Sequence, residues 1–112
     1  MSPLTTHVLD TARGRPAQGL TIVLERQAPE GFVEIARGET DADGRVRELI
    51  DASRFSAGIW RLTFHTGAYL EAMGTPGFYP WVAVVFTVTQ PEEHHHVPLL
   101  LSPHGYSTYR GS

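Results

Sequence analysis

The sequence predicts an all-β fold, a two-sheet β-sandwich of seven or eight strands with one short helix. Short stretches alternate apolar and polar residues with a period of two, breaker-rich turns separate them at short intervals, and only one stretch has helical character. At 112 residues the chain can bury one two-layer core but not two. We therefore expect a single domain over residues 1–112.

The N-terminal stretch predicts two strands. Leu4 to Asp10 alternates well enough for the first strand, with His7 on the face opposite Val8, and the breakers in residues 13–16 end it. Residues 20–25 alternate again, which is typical of a strand with one buried and one partly wet face.

The next strand and its turn place an arginine at a corner. A turn at residues 28–31 leads into a strand over residues 32–38, and residues 40–44, Thr-Asp-Ala-Asp-Gly, form a tight polar turn. Gly44 can adopt a positive φ there, so Arg45 is held close to a rigid corner, where sandwiches often carry functional side chains.

The middle of the chain contains the predicted helix. A polar connection at residues 51–57 precedes a strand over residues 59–65, and residues 66–73 follow as the helix. We expect Thr66 to cap its N-terminus and Gly74 to close its C-terminus.

The last third of the chain reads as three strands. The β-branched density of residues 82–88 predicts a strand that is buried on both faces. Residues 97–101 then form a buried strand, residues 102–105 a turn, and residues 105–110 a returning strand rich in Tyr and Thr.

Three consecutive histidines precede this hairpin. Strand alternation places His94 and His96 on one face and His95 on the other, so at least one imidazole points away from the core. The triplet by itself is compatible with a solvated turn or an adventitious nickel binder. Two imidazoles at i and i+2 can also share a metal, but only Glu92 and Glu93 lie nearby and no cysteine completes a zinc site. We expect no functional metal and no cofactor.

Composition excludes several function classes. The net charge of −3 gives no basic surface for nucleic acid or for anionic membranes. The absence of cysteine excludes a disulfide framework and is compatible with a reducing compartment. No apolar run approaches the roughly 20 residues that span a bilayer, and Met1 leads almost directly into the first strand, without room for a signal segment. We expect a cytoplasmic protein.

The C-terminal string Leu-Leu-Ser-Pro-x-Gly-Tyr-Ser-Thr-Tyr-Arg-Gly-Ser, residues 100–112, strongly resembles the ending of the 5-hydroxyisourate hydrolases, transthyretin-like proteins of purine catabolism. The resemblance covers nearly the whole chain. It includes the opening strand at residues 5–10 with the Gly14, Pro16 and Ala17 that follow, the turn at residues 40–45, and Phe-Tyr-Pro at residues 78–80.

The resemblance implies a transthyretin-like (prealbumin-like) sandwich that hydrolyses 5-hydroxyisourate to 2-oxo-4-hydroxy-4-carboxy-5-ureidoimidazoline in urate degradation. Carried over residue by residue, it implies catalytic roles for His7, Arg45 and His96, and substrate binding by Tyr109, Arg110, Gly111 and Ser112. The chain departs from the family in having His95 where an aromatic is usual, His104 where an aromatic is common, and Trp81 where Glu is expected. These departures concern local surface and the substrate channel.

The residue types suit hydrolysis of a cyclic imide-like carbonyl. Two histidines near their ordinary pKa of about 6.5 can divide the work, one accepting a proton from water and the other orienting it. The planar guanidinium of Arg45 suits a carbonyl or an anionic ring nitrogen, and the Ser112 carboxylate could orient Arg45 or a substrate N–H. Without the resemblance, His7 would be an ordinary strand histidine and Arg45 a solvated turn residue.

The resemblance also implies a homotetramer, a dimer of dimers with the active sites in the channel between them. The strand at residues 105–110 is an edge candidate without Pro or Lys, and Tyr109 and Arg110 would approach that channel. The alternative function is a non-enzymatic small-molecule carrier on the same sandwich, as transthyretin is. The carrier lacks the paired histidines and the Tyr-Arg-Gly-Ser ending, and both are present here. A structural sandwich with no active site is a third, weaker possibility.

Overall fold

The computed structural model describes residues 2–112, which form two four-stranded sheets and one helix. In chain order the elements are β1 (Leu4–Asp10), β2 (Arg15–Pro16), β3 (Thr21–Ala28), β4 (Gly31–Glu39), β5 (Gly58–Phe64), α1 (Thr66–Ala72), β6 (Val82–Val88), β7 (His95–Ser102) and β8 (Gly105–Thr108). The strand orders are β2-β1-β7-β8 in one sheet and β4-β3-β5-β6 in the other. The predicted two-sheet sandwich with one short helix is confirmed.

The two sheets bury their facing sides in one apolar core. The core cluster takes residues from both sheets: Leu4, Val8, Val97 and Leu99 from the first, and Ile22, Leu24, Trp60, Leu62, Phe64, Val82 and Val88 from the second. Burying a side chain such as Leu99 contributes roughly 1.5–3 kcal/mol to folding, and this fixes which residues of each strand point inward.

The pairing of β1 with β7 matters most for function. These strands are parallel, with Thr5 opposite His96 and His7 opposite Pro98. Burial alternates along β1, so Thr5 and His7 are half-buried on the outer face while Val8 faces the core. Adjacent strands of a sheet share their inner and outer faces, so the outer side of the first sheet carries polar residues from both strands.

The helix begins differently from the prediction. Its N-cap is His65, with no side-chain capping bond, and Thr66 is the first helical residue. Thr66 is fully buried, and its Oγ1 has no hydrogen-bond partner among the described residues, so this hydroxyl does not cap the helix. The C-terminal end is as predicted, since Gly74 has a φ of +76° and follows the last turn.

Strand β6 is not buried on both faces, as its composition had suggested. Its burial alternates, and Val85 is 57% exposed. The reason is its place in the sheet: β6 is an edge strand, so its apolar outer side chains face solvent in a single chain.

Two further details differ from the sequence prediction. Residues Arg15–Pro16 form a short strand paired with β1 instead of only ending it. The closing strand β8 ends at Thr108, not at residue 110, and Gly111 makes a separate bridge to His96. Strand β8 is an edge strand, as expected.

Within residues 2–112, none of the helical structure is long and apolar enough to cross a membrane.

Candidate active site

A threonine and two histidines meet on the outer face of the first sheet. The Thr5 hydroxyl oxygen lies 2.7 Å from Nδ1 of His96 and 2.9 Å from Nε2 of His94. His7 is two residues along β1 and therefore projects from the same face as Thr5. Strand pairing thus assembles imidazoles that are about ninety residues apart in the sequence.

The turn after β4 brings Arg45 beside these histidines. Gly44 has a φ of +75°, its N–H donates to the Asp41 carbonyl at 2.9 Å, and its own carbonyl accepts from the Val8 N–H at 2.9 Å. The Asp41 carboxylate accepts the N–H groups of Asp43 and Arg45. A Cβ at position 44 would collide with the Val8 carbonyl oxygen, so only glycine allows the turn to lie this close to β1.

The site holds both histidines toward their neutral form. Burial, and then the Arg45 charge, lower the pKa of His96, and the neighbouring His94 and His7 lower it further. Burial and Arg45 also lower the pKa of His7, opposed by the backbone and carboxylate of Asp43. Two neutral imidazoles beside one fixed cation can accept a proton and stabilise negative charge at the same place.

The C-terminal tail passes directly over one imidazole. The Gly111 N–H donates to the His96 carbonyl at 2.8 Å. A Cβ at position 111 would lie 2.5 Å from Cδ2 of His96, a distance that real side chains do not tolerate. Gly111 is therefore part of the site through its backbone.

The other predicted tail residues lie to the side of this cluster. Tyr109 and Arg110 line an apolar hollow with Val84 and Phe86, between the edge strands of the two sheets. The Arg110 guanidinium also reaches the Glu93 carboxylate at 3.4 Å. Within one chain, the structure brings His7, Arg45, His96 and Gly111 together. Tyr109 and Arg110 line the hollow instead, and Ser112 is exposed.

The remaining histidines have other environments. His95 is 5% exposed, its ring packs edge-on against Phe55 with centroids 5.5 Å apart, and its Nδ1–H donates to the Glu93 carbonyl at 2.9 Å. It is a core residue, on the face opposite His96. His104 is exposed in the hairpin turn.

Sequence reasoning missed Thr5. Its place two residues before His7 was a signal that both share a strand face. Its contact with His94 and His96 depends on the parallel pairing of the first strand with β7, which alternation within one strand does not predict.

Across residues 2–112, no three His, Asp or Glu side chains lie close enough together to form an evident metal site. That the protein works without a metal stays a prediction from the sequence. The nitrogen that His96 turns toward Thr5 is already engaged in a hydrogen bond.

Comparison with known proteins agrees with this architecture. The sequence matches the family described as HIUase/Transthyretin over residues 4–111. The chain belongs to this family. The resemblance predicted from the sequence is thereby confirmed over nearly the whole chain.

Relatives within the HIUase/Transthyretin family include proteins named 5-hydroxyisourate hydrolase and a transthyretin bound to thyroxine. The mouse protein named 5-hydroxyisourate hydrolase is 50% identical over 113 residues, 99% of this chain and 96% of its own. The structure of Klebsiella pneumoniae 5-hydroxyisourate hydrolase has a TM-score of 0.86 at 37% identity, covering 100% of this chain and 94% of that one. Sea bream transthyretin in complex with thyroxine has a TM-score of 0.92 at 36% identity, covering 97% and 94%.

Proposed function

We propose that this protein is a 5-hydroxyisourate hydrolase, which opens its substrate to 2-oxo-4-hydroxy-4-carboxy-5-ureidoimidazoline in urate degradation. The observation that carries the proposal is the pair of histidines, His7 and His96, both with lowered pKa beside Arg45. The names of relatives such as the mouse protein support the same activity. The cytoplasm remains the expected compartment, an expectation that rests on the sequence alone.

The reaction needs a water molecule made nucleophilic. One neutral imidazole takes a proton from water as its oxygen adds to a ring carbonyl carbon, and the other orients the water. The tetrahedral intermediate then breaks its C–N bond, and the leaving nitrogen takes the proton back from the imidazolium. The carboxylic acid that remains loses its proton to solvent and becomes a carboxylate. General base catalysis of this kind is worth ~10²–10⁴-fold.

Arg45 stabilises the charge that develops on the carbonyl oxygen. A guanidinium stays protonated and presents several N–H donors in one plane, which suits a flat ring that carries carbonyl groups. The Asp41 carboxylate accepts the Arg45 backbone N–H at 3.1 Å, so the turn holds this residue in place before substrate arrives. A fixed donor costs little reorganisation during the reaction.

The terminal residues Tyr109, Arg110, Gly111 and Ser112 are proposed to bind substrate. The support is strongest for Gly111, whose backbone lies against the His96 ring. Ser112 is exposed, and its proposed role rests on the family resemblance.

A homotetramer completes the proposed site. An outer sheet face is shallow, and a flat polar ligand needs a second wall. Two of the four edge strands, β6 and β8, border the hollow lined by Tyr109. Large apolar side chains are exposed on or just before β6, including Phe78 at 71% and Trp81 at 57%. Exposed apolar edges favour pairing with a second copy.

The direct test is an ultraviolet assay with enzymatically generated substrate. 5-Hydroxyisourate is produced with urate oxidase, and its decay is followed with and without the protein after subtraction of spontaneous hydrolysis. The proposal predicts a faster decay, proportional to protein concentration. Unchanged decay together with saturable binding of a small molecule would favour the alternative, a non-enzymatic carrier; the similar sea bream transthyretin binds thyroxine in its structure.

A further inference from the structure

A single hydroxyl group joins two imidazoles at the edge of the candidate site. Thr5 Oγ1 lies 2.7 Å from His96 Nδ1 and 2.9 Å from His94 Nε2. Both distances are those of well-formed hydrogen bonds. Thr5 sits opposite His96 in the β1–β7 register, so the backbone itself fixes the short approach.

The chemistry of a hydroxyl constrains both rings. It has one hydrogen to donate and two lone pairs that accept. If both imidazoles are neutral, Thr5 can donate to only one of them, and the other must present an N–H. The tautomers of His94 and His96 are therefore coupled through Thr5.

We propose that Thr5 is a positioning residue that sets the tautomer of His96. In this arrangement His96 Nδ1–H donates to Thr5 Oγ1, and the Thr5 hydroxyl donates to His94 Nε2. His96 Nε2 is then left without a proton. The assignment rests on the proposed function, in that it takes His96 as the group that accepts the proton of water.

This arrangement needs no rearrangement during proton transfer. When Nε2 of His96 takes a proton, Nδ1–H already points at Thr5, and that hydrogen bond becomes charge-assisted and stronger. With the opposite tautomer, Nε2 would carry the proton and could not act as a base. His94 contributes by accepting the hydrogen bond that the Thr5 hydroxyl donates. Because His94 is exposed, its other nitrogen is solvated whether or not His96 is protonated.

Thr5 is uncharged, so it can be replaced without removing any of the charged groups around His96. The charged or titratable groups acting on His96 are Arg45 from the turn, His7 from β1 and His94 from its own segment. The Glu93–Arg110 pair lies beyond His94, where Arg110 approaches the His94 carbonyl at 3.5 Å. Substitution of Thr5 removes none of these charged or titratable groups.

The neighbouring threonine provides a matched control. Thr6 is also on β1, and its hydroxyl donates to the Val97 carbonyl on β7 at 2.6 Å, but it is buried on the opposite face. Thr6→Val therefore removes a hydroxyl that links the same two strands without touching an imidazole. A purely structural role for Thr5 would give Thr5→Val the same phenotype as Thr6→Val.

The primary measurement is long-range ¹H–¹⁵N NMR of the imidazoles at about pH 8.5, well above the ordinary histidine pKa. We expect a proton on Nδ1 and none on Nε2 of His96, and a proton on Nδ1 of His94. Thr5→Val should give a mixture of tautomers in both rings. His94→Ala should give a mixture of tautomers in His96. Thr5→Ser should restore the wild-type pattern, and Thr6→Val should keep it.

Kinetics provide the second readout. Thr5→Val should lower kcat roughly 10- to 100-fold with little change in KM, and its acid limb should move to lower pH because the imidazolium has lost an acceptor. Thr5→Ser should recover most of the rate. A wild-type His96 protonated on Nε2, or a Thr5→Val protein with unchanged tautomers and kcat, would overturn the proposal.

The two readouts separate this inference from the proposed function. If the wild-type protein does not accelerate decay of 5-hydroxyisourate, the proposed function fails, while the NMR pattern still tests whether Thr5 sets the tautomers. If hydrolysis is fast but His96 carries its proton on Nε2, the proposed function is supported and the proposed role of Thr5 is wrong.

Discussion

Gly111 donates its backbone N–H to the His96 carbonyl at 2.8 Å and lies against the His96 imidazole, with no room for a side chain between them. The contact ties the end of the chain to the middle of the candidate site. It explains in physical terms why a glycine next to the last residue is useful there: the tail can cover the ring only if nothing projects from it.

The first prediction concerns this contact. Gly111→Ala should lower kcat about 10²-fold, because a Cβ 2.5 Å from Cδ2 displaces either the ring or the tail. Steady-state kinetics and thermal unfolding test this. Gly105→Ala, in the same hairpin, is the control, since its Cβ would meet only Ser102 Oγ at 3.6 Å. Equal activity of the two variants would contradict the account.

The second prediction concerns pH. Because the pKa values of His7 and His96 are lowered, the neutral pair should persist below the ordinary histidine value of about 6.5, and kcat should fall only as pH drops through the lowered values. Between the lowered pKa values and the ordinary histidine value, the unfolded chain binds more protons than the folded protein. The free energy of unfolding should therefore decrease as the pH falls through this range and should level off above about pH 6.5.

The positive charge of Arg45 contributes to both pKa shifts, so the second prediction can also be tested at Arg45. Arg45→Gln should raise the pKa of both imidazoles in an NMR titration. Arg47→Gln is the control, because Arg47 is exposed and pairs with Asp41 and Asp43. Unmoved titration curves in Arg45→Gln would show that its charge does not act on the site.

The third prediction concerns metal ions. Activity should survive prolonged dialysis against EDTA, because neutral imidazoles rather than a metal are proposed to activate the water. A metal-bound water would be lost with its ion. Loss of hydrolysis on chelation, with recovery on adding zinc, would overturn this part of the mechanism.

The fourth prediction concerns assembly. Light scattering at micromolar concentration should give a mass near four chains, and deletion of residues 109–112 should reduce both mass and activity, because pocket and interface share the tail. Tyr109→Ser keeps Gly111 in place and should weaken assembly more than it harms the fold. An active monomer, or a truncated protein with full activity, would contradict the proposed tetramer.

Much of the fold could be predicted because it depends on local patterns. Period-two alternation predicted the outward position of His7, and the Asp-Gly turn predicted the positive φ of Gly44. The errors arose where tertiary structure, which a local pattern does not contain, decides the exposure of a residue. Apolar density in residues 82–88 indicated burial, but an edge position exposes one side. Thr66 had the right residue type for a cap, but its side chain is buried.

The candidate site was predictable only in part, for the same reason. Alternation separated His96 from His95, and the resemblance supplied Arg45. The link through Thr5 arises from parallel pairing of strands far apart in the chain, and the placement of Tyr109 in an edge hollow depends on how the two sheets stack. Neither is encoded in a short stretch of sequence.

The fifth prediction compares two adjacent histidines and tests the central claim most directly. His96→Ala should lower catalysed hydrolysis by at least about 10²-fold with the fold retained, and His7→Ala and Arg45→Ala should behave similarly. His95→Ala should keep most of its kcat per folded molecule but unfold at a lower temperature, because its ring is packed against Phe55.

The decisive measurement is therefore kcat for 5-hydroxyisourate decay in His96→Ala and His95→Ala, each corrected for its folded fraction and for spontaneous hydrolysis. The account predicts severe loss in the first and near-normal turnover in the second. An essential His95 with a dispensable His96 would contradict it, because catalysis would then depend on the face of β7 that points into the core.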